Sequence, residues 1–284
     1  MAARVMLVPY DSGYYRKRMG LGPEQIFAHG LKDLFRRIEI HIDREEITLE
    51  APFPAEISAA FQLAGKISER VRECRGQGVV PVVLSGNCNA ALGTVSGCGA
   101  NKLGIVWFDA HGEATTPETT VSGFLDGMSI STLLGRAWHR LAENIPGFAP
   151  IPGNRILLFG ARDVEPAEQS LLEAAGVRRA ATLAQLQKQL PILTREINQI
   201  YLHVDLDVLD PKEATANLWT PPNGITRDCL LECIADIRKQ TRVVALGVGS
   251  YDPEVDRDGR ALAAALAVAE AVFASASSKS TLSS

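Results

Sequence analysis

The chain has 284 residues, of which 46% are hydrophobic and 22% are charged, and its formal net charge at pH 7 is -4. A chain of this size often folds around one core in parallel α/β proteins, so we expect a single domain. The weak negative charge gives no field suited to a polyanion, and no apolar stretch reaches the roughly 20 residues that cross a bilayer. These features argue against nucleic-acid and membrane partners.

The N-terminal sequence MAARVMLVPYDSG reaches a turn too early for a secretory signal, which makes the cytoplasm the expected location. The five cysteines form an odd set without paired zinc-type spacing. We expect most of them to be reduced and packed as small hydrophobic residues. Cys88 is the exception, because it follows a strand at a Gly turn.

Six short apolar runs, each ending near Gly, Asp or Ser, are typical of strands buried on both faces. In chain order they are RVMLVPYDSG, VVPVVLSGN, LGIVWFDAHG, RILLFGARD, IYLHVDLD and RVVALGVGS. Three segments between them show helical spacing, and the last begins at Thr226, a predicted N-cap with Asp228 in its first turn. The residues on the predicted buried faces are Phe27, Leu31, Leu34 and Phe35; Phe61, Ala64, Ile67, Val71 and Cys74; and Leu230, Cys233, Ile234 and Ile237.

Strands that alternate with helices predict a mainly parallel sheet covered on both faces, which is a three-layer α/β/α fold. No linker divides the chain, so we expect one domain over residues 1–275. The Ser-rich end at 276–284 cannot bury enough area to offset its ordering, and we expect it to be disordered. In such folds the ligand crevice lies at the carboxyl ends of the strands.

The segment LGIVWFDAHGE carries a strand directly into Asp109, His111 and Glu113 at alternating positions. Alternation along an extended chain points all three side chains the same way. Two carboxylates and an imidazole at one place repel and are costly to bury unless a cation neutralises them. The alternative is a solvated turn whose histidine is merely hydrogen-bonded.

A second strand, IYLHVDLDVLDP, ends in Asp205 and Asp207 in the same alternation. Buried ionised carboxylates cost several kcal/mol when they are unpaired, so we do not expect Asp205 and Asp207 to be ordinary surface acids. Oxygen-rich ligation with a single nitrogen favours a hard or borderline ion such as Mn²⁺.

The segment VVPVVLSGNCNAALG places Cys88 at a strand-to-helix turn. This position suits a nucleophile activated by a helix N-terminus, a metal ligand or a packed thiol, and the segment alone does not separate these readings.

Together these segments resemble the arginase, agmatinase and formimidoylglutamase superfamily. The matching motifs occur in the family's order: RMGLGP at Arg18 to Pro23, SGNCN in place of Gly-Gly-Asp-His-Ser, WFDAHGE, HVDLDVLDP and a final strand ending in YDP. The resemblance implies an arginase-like α/β/α fold with a sheet of about eight strands. It also implies a hydrolase in which a hydroxide shared by two manganese ions attacks a guanidinium or formimino carbon.

Carried over by position, the resemblance implies two sets of metal ligands. Cys88 stands where the family has histidine and Glu113 where it usually has aspartate, and a thiolate shifts the preference of its ion toward Zn²⁺ or Fe²⁺. Whether one or two ions bind stays open. The first set is Cys88, Asp109, Glu113 and Asp205, and the second is His111, Asp109, Asp205 and Asp207.

The resemblance also implies roles around the substrate. Asp126 stands at the position of a histidine thought to carry protons, and we expect it to act in catalysis with His111 if its pKa is raised. Ser250 replaces a glutamate that pairs with the guanidinium. Amino-acid-like substrates are implied by the matches at Thr115, Ser122, Asp163, Glu165 and Glu168, although the two glutamates also suit a helix start.

We therefore expect a metal-dependent hydrolase that cleaves a non-peptide C–N bond of a small, amino-acid-like molecule. The bond would belong to a guanidino, N-hydroxyguanidino, formimino or amide group. One alternative is a catalytically inactive relative that binds or regulates, and another is a cysteine-nucleophile enzyme using Cys88. Members of the superfamily often form trimers or hexamers, so a homo-oligomer is consistent with the resemblance.

Overall fold

The computed structural model describes residues 2–50 and 55–274. The predicted tail at 276–284 lies outside the described residues. The strands are β1 (Ala2–Val8), β2 (Tyr10–Asp11), β3 (Tyr14–Tyr15), β4 (His41–Glu46), β5 (Val80–Ser85), β6 (Leu103–Phe108), β7 (Ile156–Phe159), β8 (Arg178–Ala180), β9 (Gln199–Asp205) and β10 (Arg242–Gly249). The helices are α1 (Gly22–Ile26), α2 (Lys32–Arg37), α3 (Glu56–Gly76), α4 (Ala90–Cys98), α5 (Ser129–Leu133), α6 (His139–Ala142), α7 (Pro166–Ala175), α8 (Leu183–Leu193), α9 (Arg227–Gln240) and α10 (Arg260–Phe273).

Eight of the strands form one sheet in the order β4-β1-β5-β10-β9-β6-β7-β8, and β2 and β3 form a separate hairpin. Every pair in the large sheet is parallel. All eight carboxyl ends therefore lie along one edge, where a parallel α/β fold binds its ligands.

Helices cover both faces of the sheet. In β6, Val106 and Phe108 pack into a core that contains residues of α8, α9 and α10, while Ile105 and Trp107 pack into a core that contains residues of α3, α4 and α5. This alternation is the period of two that a strand imposes. The predicted three-layer α/β/α fold with a parallel sheet of eight strands is confirmed.

The first predicted helix is interrupted in the structure. Phe27, Leu31 and Leu34 are buried as expected, but the backbone leaves the helical region at His29 and Gly30, between α1 and α2. A Cβ on Gly30 would lie 2.3 Å from Cδ1 of Leu266 on α10. The break therefore lies where α10 packs closest against this segment.

The two edge strands were not among the six apolar runs. β4 reads HIDREE and β8 reads RRA, and each pairs with a single neighbour. Charged side chains are typical of sheet edges because they discourage pairing with another chain. A search for apolar runs does not detect strands of this kind.

The third predicted helix begins where expected. The Oγ1 atom of Thr226 accepts a hydrogen bond from the backbone N–H of Cys229 at 3.1 Å, and α9 follows directly. Within the part of the chain that the structure describes, no helix is both long and apolar enough to cross a membrane.

Candidate metal centre

Four neighbouring strands in the middle of the sheet, β5, β10, β9 and β6, bring their carboxyl ends together. Phe108 pairs with Val204 across β6 and β9, and Gly249 pairs with Asp205 across β10 and β9. Asp109 and Asp205 therefore leave neighbouring strands at nearly the same level. The predicted extended alternation does not continue past the strands, because Asp207 lies in a 3-10 turn at Leu206–Val208 and Glu113 has a left-handed φ of +54°.

One group of candidate ligands consists of Asp109, His111 and Asp207. The Nδ1 atom of His111 lies 3.3 Å from Oδ1 of Asp109 and 3.3 Å from Oδ2 of Asp207. One ligand atom from each residue lies within 4.8 Å of the other two. Since metal–nitrogen and metal–oxygen bonds are about 2.0–2.2 Å long, atoms spread this far fit around one ion.

Backbone amides hold these carboxylates in place. The N–H of His111 donates to Oδ1 of Asp109 at 2.8 Å, and the N–H of Ala110 donates to Oδ1 of Asp207 at 3.1 Å. The N–H of Asp207 donates to Oδ1 of Asp205 at 2.9 Å. Asp109 and Asp205 thus each have one oxygen held by the N–H two residues later, and Asp207 has one oxygen held by the turn that follows β6.

Cys88 lies between β5 and α4 and is 1% exposed. Its Sγ atom lies 3.1 Å from Oδ2 of Asp205 and 3.9 Å from Oδ2 of Asp109. The thiol therefore lies beside Asp109, which follows β6, and Asp205, which ends β9. Asp205 lies against Cys88 but belongs to none of the three-residue groups of ligand atoms found among the described residues.

A second group consists of Cys88, Glu113 and Asp126, whose ligand atoms also lie within 4.8 Å of one another. Asp126 accepts hydrogen bonds from Nδ2 of Asn87 at 2.9 Å and from the backbone N–H of Asn89 at 3.0 Å. Glu113 is 6% exposed, and its Oε2 atom is buried without a hydrogen-bond partner among the described residues. This carboxylate oxygen lacks the partner that buried polar atoms normally have.

The third group adds a residue that the sequence analysis did not single out. His203 joins Cys88 and Asp109 in a set of ligand atoms, with its Nε2 atom 3.2 Å from Sγ of Cys88. Its Nδ1 atom lies 2.7 Å from the hydroxyl of Tyr201. The signal was present in IYLHVDLD, where Tyr201, His203 and Asp205 alternate and so share one face of the strand.

Burial makes this cluster unfavourable for isolated negative charges. It raises the pKa of Asp109, Glu113 and Asp205, and the charges of neighbouring carboxylates raise these pKa values further. Burial likewise raises the pKa of Asp126 to about 8, against the opposing effect of its hydrogen bonds from Asn87 and Asn89. A cation bound among these groups would favour their charged forms.

His111 and Asp207 behave as an ion pair. Burial disfavours the charged form of His111, but its hydrogen bonds to Asp109 and Asp207 and their charges outweigh burial and raise its pKa. Burial also acts to raise the pKa of Asp207, yet the hydrogen bond and charge of His111 outweigh it and lower that pKa. In the protein alone, the imidazolium supplies the positive charge that a metal ion would otherwise supply.

The surroundings of Cys88 oppose the nucleophile hypothesis. Burial, and then the negative charge of Asp205 and of other acids, raise the pKa of its thiol well above the ordinary value. A nucleophilic cysteine needs a nearby cation or helix N-terminus that lowers its pKa. A metal ion bonded to sulfur satisfies this requirement, because a coordinating thiol is deprotonated outright.

These residues fit a divalent metal centre. Sulfur, imidazole nitrogen and several carboxylate oxygens converge from adjacent strand ends, and Glu113 presents an oxygen that has no hydrogen-bond partner in the described part of the chain. Buried charges of this kind are found where they are paired or coordinate a metal.

A cavity of 240 Å³ opens over this cluster. Seven carboxylate side chains line it, and none of the described lining residues is Lys or Arg, so the cavity disfavours anionic ligands. Its lining includes every residue predicted to contact substrate, namely Thr115, Ser122, Asp163, Glu165 and Ser250, together with Glu168.

The acids at the start of α7 also have a structural role. Glu165 and Glu168 form a reciprocal capping box, and the backbone N–H of Glu165 donates to Oε2 of Glu168 at 2.9 Å. Oε1 of Glu168 accepts a hydrogen bond from the N–H of Ala114 at 2.9 Å. Both interpretations of this segment, as a helix start and as part of the substrate site, are therefore supported, because the glutamates cap α7 and also line the cavity.

Comparisons with known proteins agree with this architecture. Residues 1–274 match the family model described as Arginase family. The chain is 30% identical over 239 residues to the arginase of Bacillus subtilis (strain 168), an alignment that covers 78% of this chain and 79% of that protein.

Solved structures show the same fold. A crystal structure of arginase from Bacillus subtilis superposes with a TM-score of 0.85 at 22% identity, covering 97% of this chain and 99% of that chain. The arginase of Entamoeba histolytica, crystallised in complex with L-ornithine, superposes with a TM-score of 0.84 at 19% identity, covering 96% of this chain and 97% of that chain.

The fold and the cluster define a parallel α/β protein with a candidate metal site at the carboxyl edge of its sheet. The chain belongs to the arginase family. Membership of this family supports a ureohydrolase-type hydrolase as its general class.

Proposed function

We propose that this chain is a metal-dependent hydrolase that cleaves a non-peptide C–N bond in a small, amino-acid-like molecule. The observation that carries the proposal is the convergence of three overlapping groups of ligand atoms beneath one acidic cavity. Each group contains side chains from at least two separated segments of the chain. A protein without use for a cation has little physical reason to bury so many acids together.

The proposed metal ligands come from the family pattern, and the grouping of Asp109, His111 and Asp207 and the contact between Cys88 and Asp205 support part of them. We propose Mn²⁺ as the metal, in one or two ions, with Zn²⁺ or Fe²⁺ favoured where the thiolate of Cys88 is a ligand. Such an ion lowers the pKa of water so that a nucleophile is available near neutral pH. The proposed ligands are Cys88, Asp109, Glu113 and Asp205 for one ion, and His111, Asp109, Asp205 and Asp207 for the other.

The charge of the cavity supports a neutral or cationic group at the reacting end of the substrate. Ser250 bears on which group this is, because its Oγ atom lies 3.8 Å from Sγ of Cys88 and its side chain has no charge. A guanidinium at this point lacks the bidentate carboxylate that would bind it strongly. We therefore favour an N-hydroxyguanidino, formimino or amide group over an unmodified guanidino group.

The polar lining of the cavity suits the amino-acid portion of the substrate. Thr115 and Ser122 line it with hydroxyl groups, and Asp163 and Glu165 line it with carboxylates. Hydroxyl groups can donate to a substrate carboxylate, and acids can accept from an ammonium group. The L-ornithine held by the Entamoeba histolytica arginase supports a ligand of this class. A cytoplasmic location and a homo-oligomeric state stay predictions.

A substrate panel combined with metal analysis tests the proposal. The protein would be prepared under reducing conditions with Mn²⁺, Zn²⁺ or Fe²⁺ and assayed with guanidino, N-hydroxyguanidino, formimino and amide derivatives of amino acids. We expect turnover of at least one class, with loss of activity in Asp205→Ala.

The control is Asp228→Asn, which changes a surface acid whose side chain is 84% exposed, and it should retain full activity. Metal binding without turnover of any class would favour the inactive binding protein. Absence of bound metal would contradict the proposal altogether.

A further inference from the structure

The second ligand group departs from the ligand sets that the family pattern suggests. In those sets Cys88 and Glu113 share an ion with Asp109 and Asp205, whereas the structure places Cys88 and Glu113 together with Asp126. All three side chains are buried, with exposed fractions of 1%, 6% and 5%. Glu113 and Asp126 also line the cavity, so an ion held here would face the substrate.

We infer that Asp126 is a metal ligand, which with Cys88 and Glu113 forms a thiolate–carboxylate site for a thiophilic divalent ion such as Zn²⁺, Fe²⁺ or Co²⁺, rather than a proton carrier. The inference rests on the proposed function, because it assigns one residue within the proposed metal centre.

The hydrogen bonds of Asp126 orient a carboxylate that a bound cation would keep ionised. Oδ2 accepts from Nδ2 of Asn87 and Oδ1 accepts from the N–H of Asn89, so each oxygen already faces an N–H donor. Both donors favour the charged form of the acid. With a cation bound, both oxygens accept these hydrogen bonds and each keeps a further lone pair for the metal, whereas a proton carrier must release and rebind a proton.

Glu113 supplies the independent observation. Its Oε2 atom is buried and has no hydrogen-bond partner among the described residues, although an unpaired buried carboxylate is costly. Its backbone has a φ of +54°, a left-handed conformation that residues other than glycine seldom adopt. The backbone N–H of Ile130 donates to its carbonyl oxygen at 2.7 Å and holds this conformation.

The donor set decides the class of ion. Cys88 contributes sulfur and the two acids contribute oxygen, so the site mixes one soft ligand with hard ones. Thiolates favour Zn²⁺, Fe²⁺ and Co²⁺ over Mn²⁺, whereas the group of Asp109, His111 and Asp207 holds only oxygen and nitrogen ligands. The two groups should therefore differ in metal preference.

Cobalt substitution tests the assignment without relying on activity. Co²⁺ bound to a thiolate gives a charge-transfer band in the near ultraviolet, and its visible ligand-field bands report the number and geometry of ligands. The wild-type protein should show both features. Asp126→Asn should retain the charge-transfer band, because Cys88 is unchanged, but should shift the visible bands. It should also weaken Co²⁺ binding by about 100-fold or more, since residues that only support ligands change metal affinity by about 10–100-fold.

Two further variants make the result specific. Asp163→Asn changes an acid that lines the same cavity outside the three ligand groups, and its Co²⁺ spectrum and affinity should match those of the wild type. Cys88→Ser should lose the charge-transfer band. An anomalous difference map from crystals of the wild-type Co²⁺ protein gives the distance from the ion to the carboxylate of Asp126 directly, and a distance too long for a bond would overturn the assignment even where a variant fails to fold.

The outcomes separate this inference from the proposed function. If the wild-type protein binds no divalent ion, the proposed function fails. If it binds Co²⁺ through the thiolate but Asp126→Asn leaves the visible spectrum and the affinity unchanged while lowering kcat, only the assignment of Asp126 fails, and the residue is then a proton carrier.

Discussion

The indole of Trp107 stacks on the imidazole of His203, with the ring centroids 3.7 Å apart and the planes inclined by 23°. Each ring also contacts one candidate metal ligand. Nε1–H of Trp107 donates to Oδ2 of Asp109 at 2.8 Å, and Nε2 of His203 lies 3.2 Å from Sγ of Cys88. The paired strands β6 and β9 thus supply the two rings that contact Asp109, which follows β6, and Cys88, which follows β5.

This stack predicts a supporting role for His203. Burial lowers its pKa to about 3, so the ring is neutral and its hydrogen bond to Cys88 does not add a charge. Loss of a group that orients a metal ligand typically costs 10–100-fold in affinity, so His203→Ala should weaken metal binding by about that factor. Isothermal titration with Zn²⁺ measures this change.

The matched control is His139→Ala, which changes an exposed histidine on α6 and should bind Zn²⁺ as tightly as the wild type. Equal affinity in all three proteins would show that His203 only fills space.

The stability of the metal-free protein should depend on pH through Asp126. Its pKa is about 8 in the folded protein against an ordinary 3.8, so between these values the folded protein holds a proton that the unfolded chain has lost. Stability from this group is therefore lost as pH rises from about 4 to about 8. We expect the Tm of chelated protein to fall by at least about 2 °C over this range.

Differential scanning fluorimetry in a chelating buffer measures the effect, and Asp126→Asn should make the dependence shallower. Saturating metal should also reduce it, because a cation stabilises the ionised acids. A chelated wild-type protein that gains stability toward pH 8 would contradict this electrostatic picture.

The aromatic pair at the cavity mouth should affect substrate binding rather than chemistry. Phe124 and Trp219 stack with ring centroids 6.0 Å apart, both line the cavity, and Trp219 is 45% exposed. We expect the part-exposed Trp219 ring to contact the bound substrate, and loss of an aromatic contact of about 0.5–1.5 kcal/mol from the complex should raise KM in Trp219→Ala by about 2- to 10-fold with little change in kcat. Steady-state kinetics on the substrate found by the panel measures the split, and a fall in kcat at constant KM would contradict it.

The start of α9 offers a change in stability that should not disturb the metal centre. The Thr226 hydroxyl caps the helix through the N–H of Cys229, and removal of such a cap costs about 1 kcal/mol. Thr226→Ala should therefore lower the free energy of unfolding in urea by about that amount, while metal content stays the same. A change in metal content would show that the two regions are coupled.

Much of the fold follows from local patterns in the sequence. The buried strands read as apolar runs, and the acids at their ends stand out because ionised groups seldom follow such runs without a purpose. Two features could not be predicted from local sequence patterns. The edge strands β4 and β8 depend on pairing with a neighbouring strand, and the helix break at Gly30 depends on packing against α10.

The metal centre was predictable in part. Asp109, His111, Asp205 and Asp207 stand at alternating positions, and the register of β6 with β9 places them together. The link between Asp126 and Cys88 was not predictable from the residues, because it joins segments 38 positions apart through the turn that precedes α5. His203 was overlooked because an imidazole inside an apolar strand also suits a buried core residue.

The most direct test of a metal centre at this edge of the sheet is anomalous scattering from crystals of protein kept with divalent metal under reducing conditions. We expect an anomalous peak within bonding distance of Asp109, His111 and Asp207, and with a thiophilic ion a second peak bounded by Cys88, Glu113 and Asp126. Absence of any peak from this cluster, with His111 still paired to Asp109 and Asp207 as in the protein alone, would contradict the account.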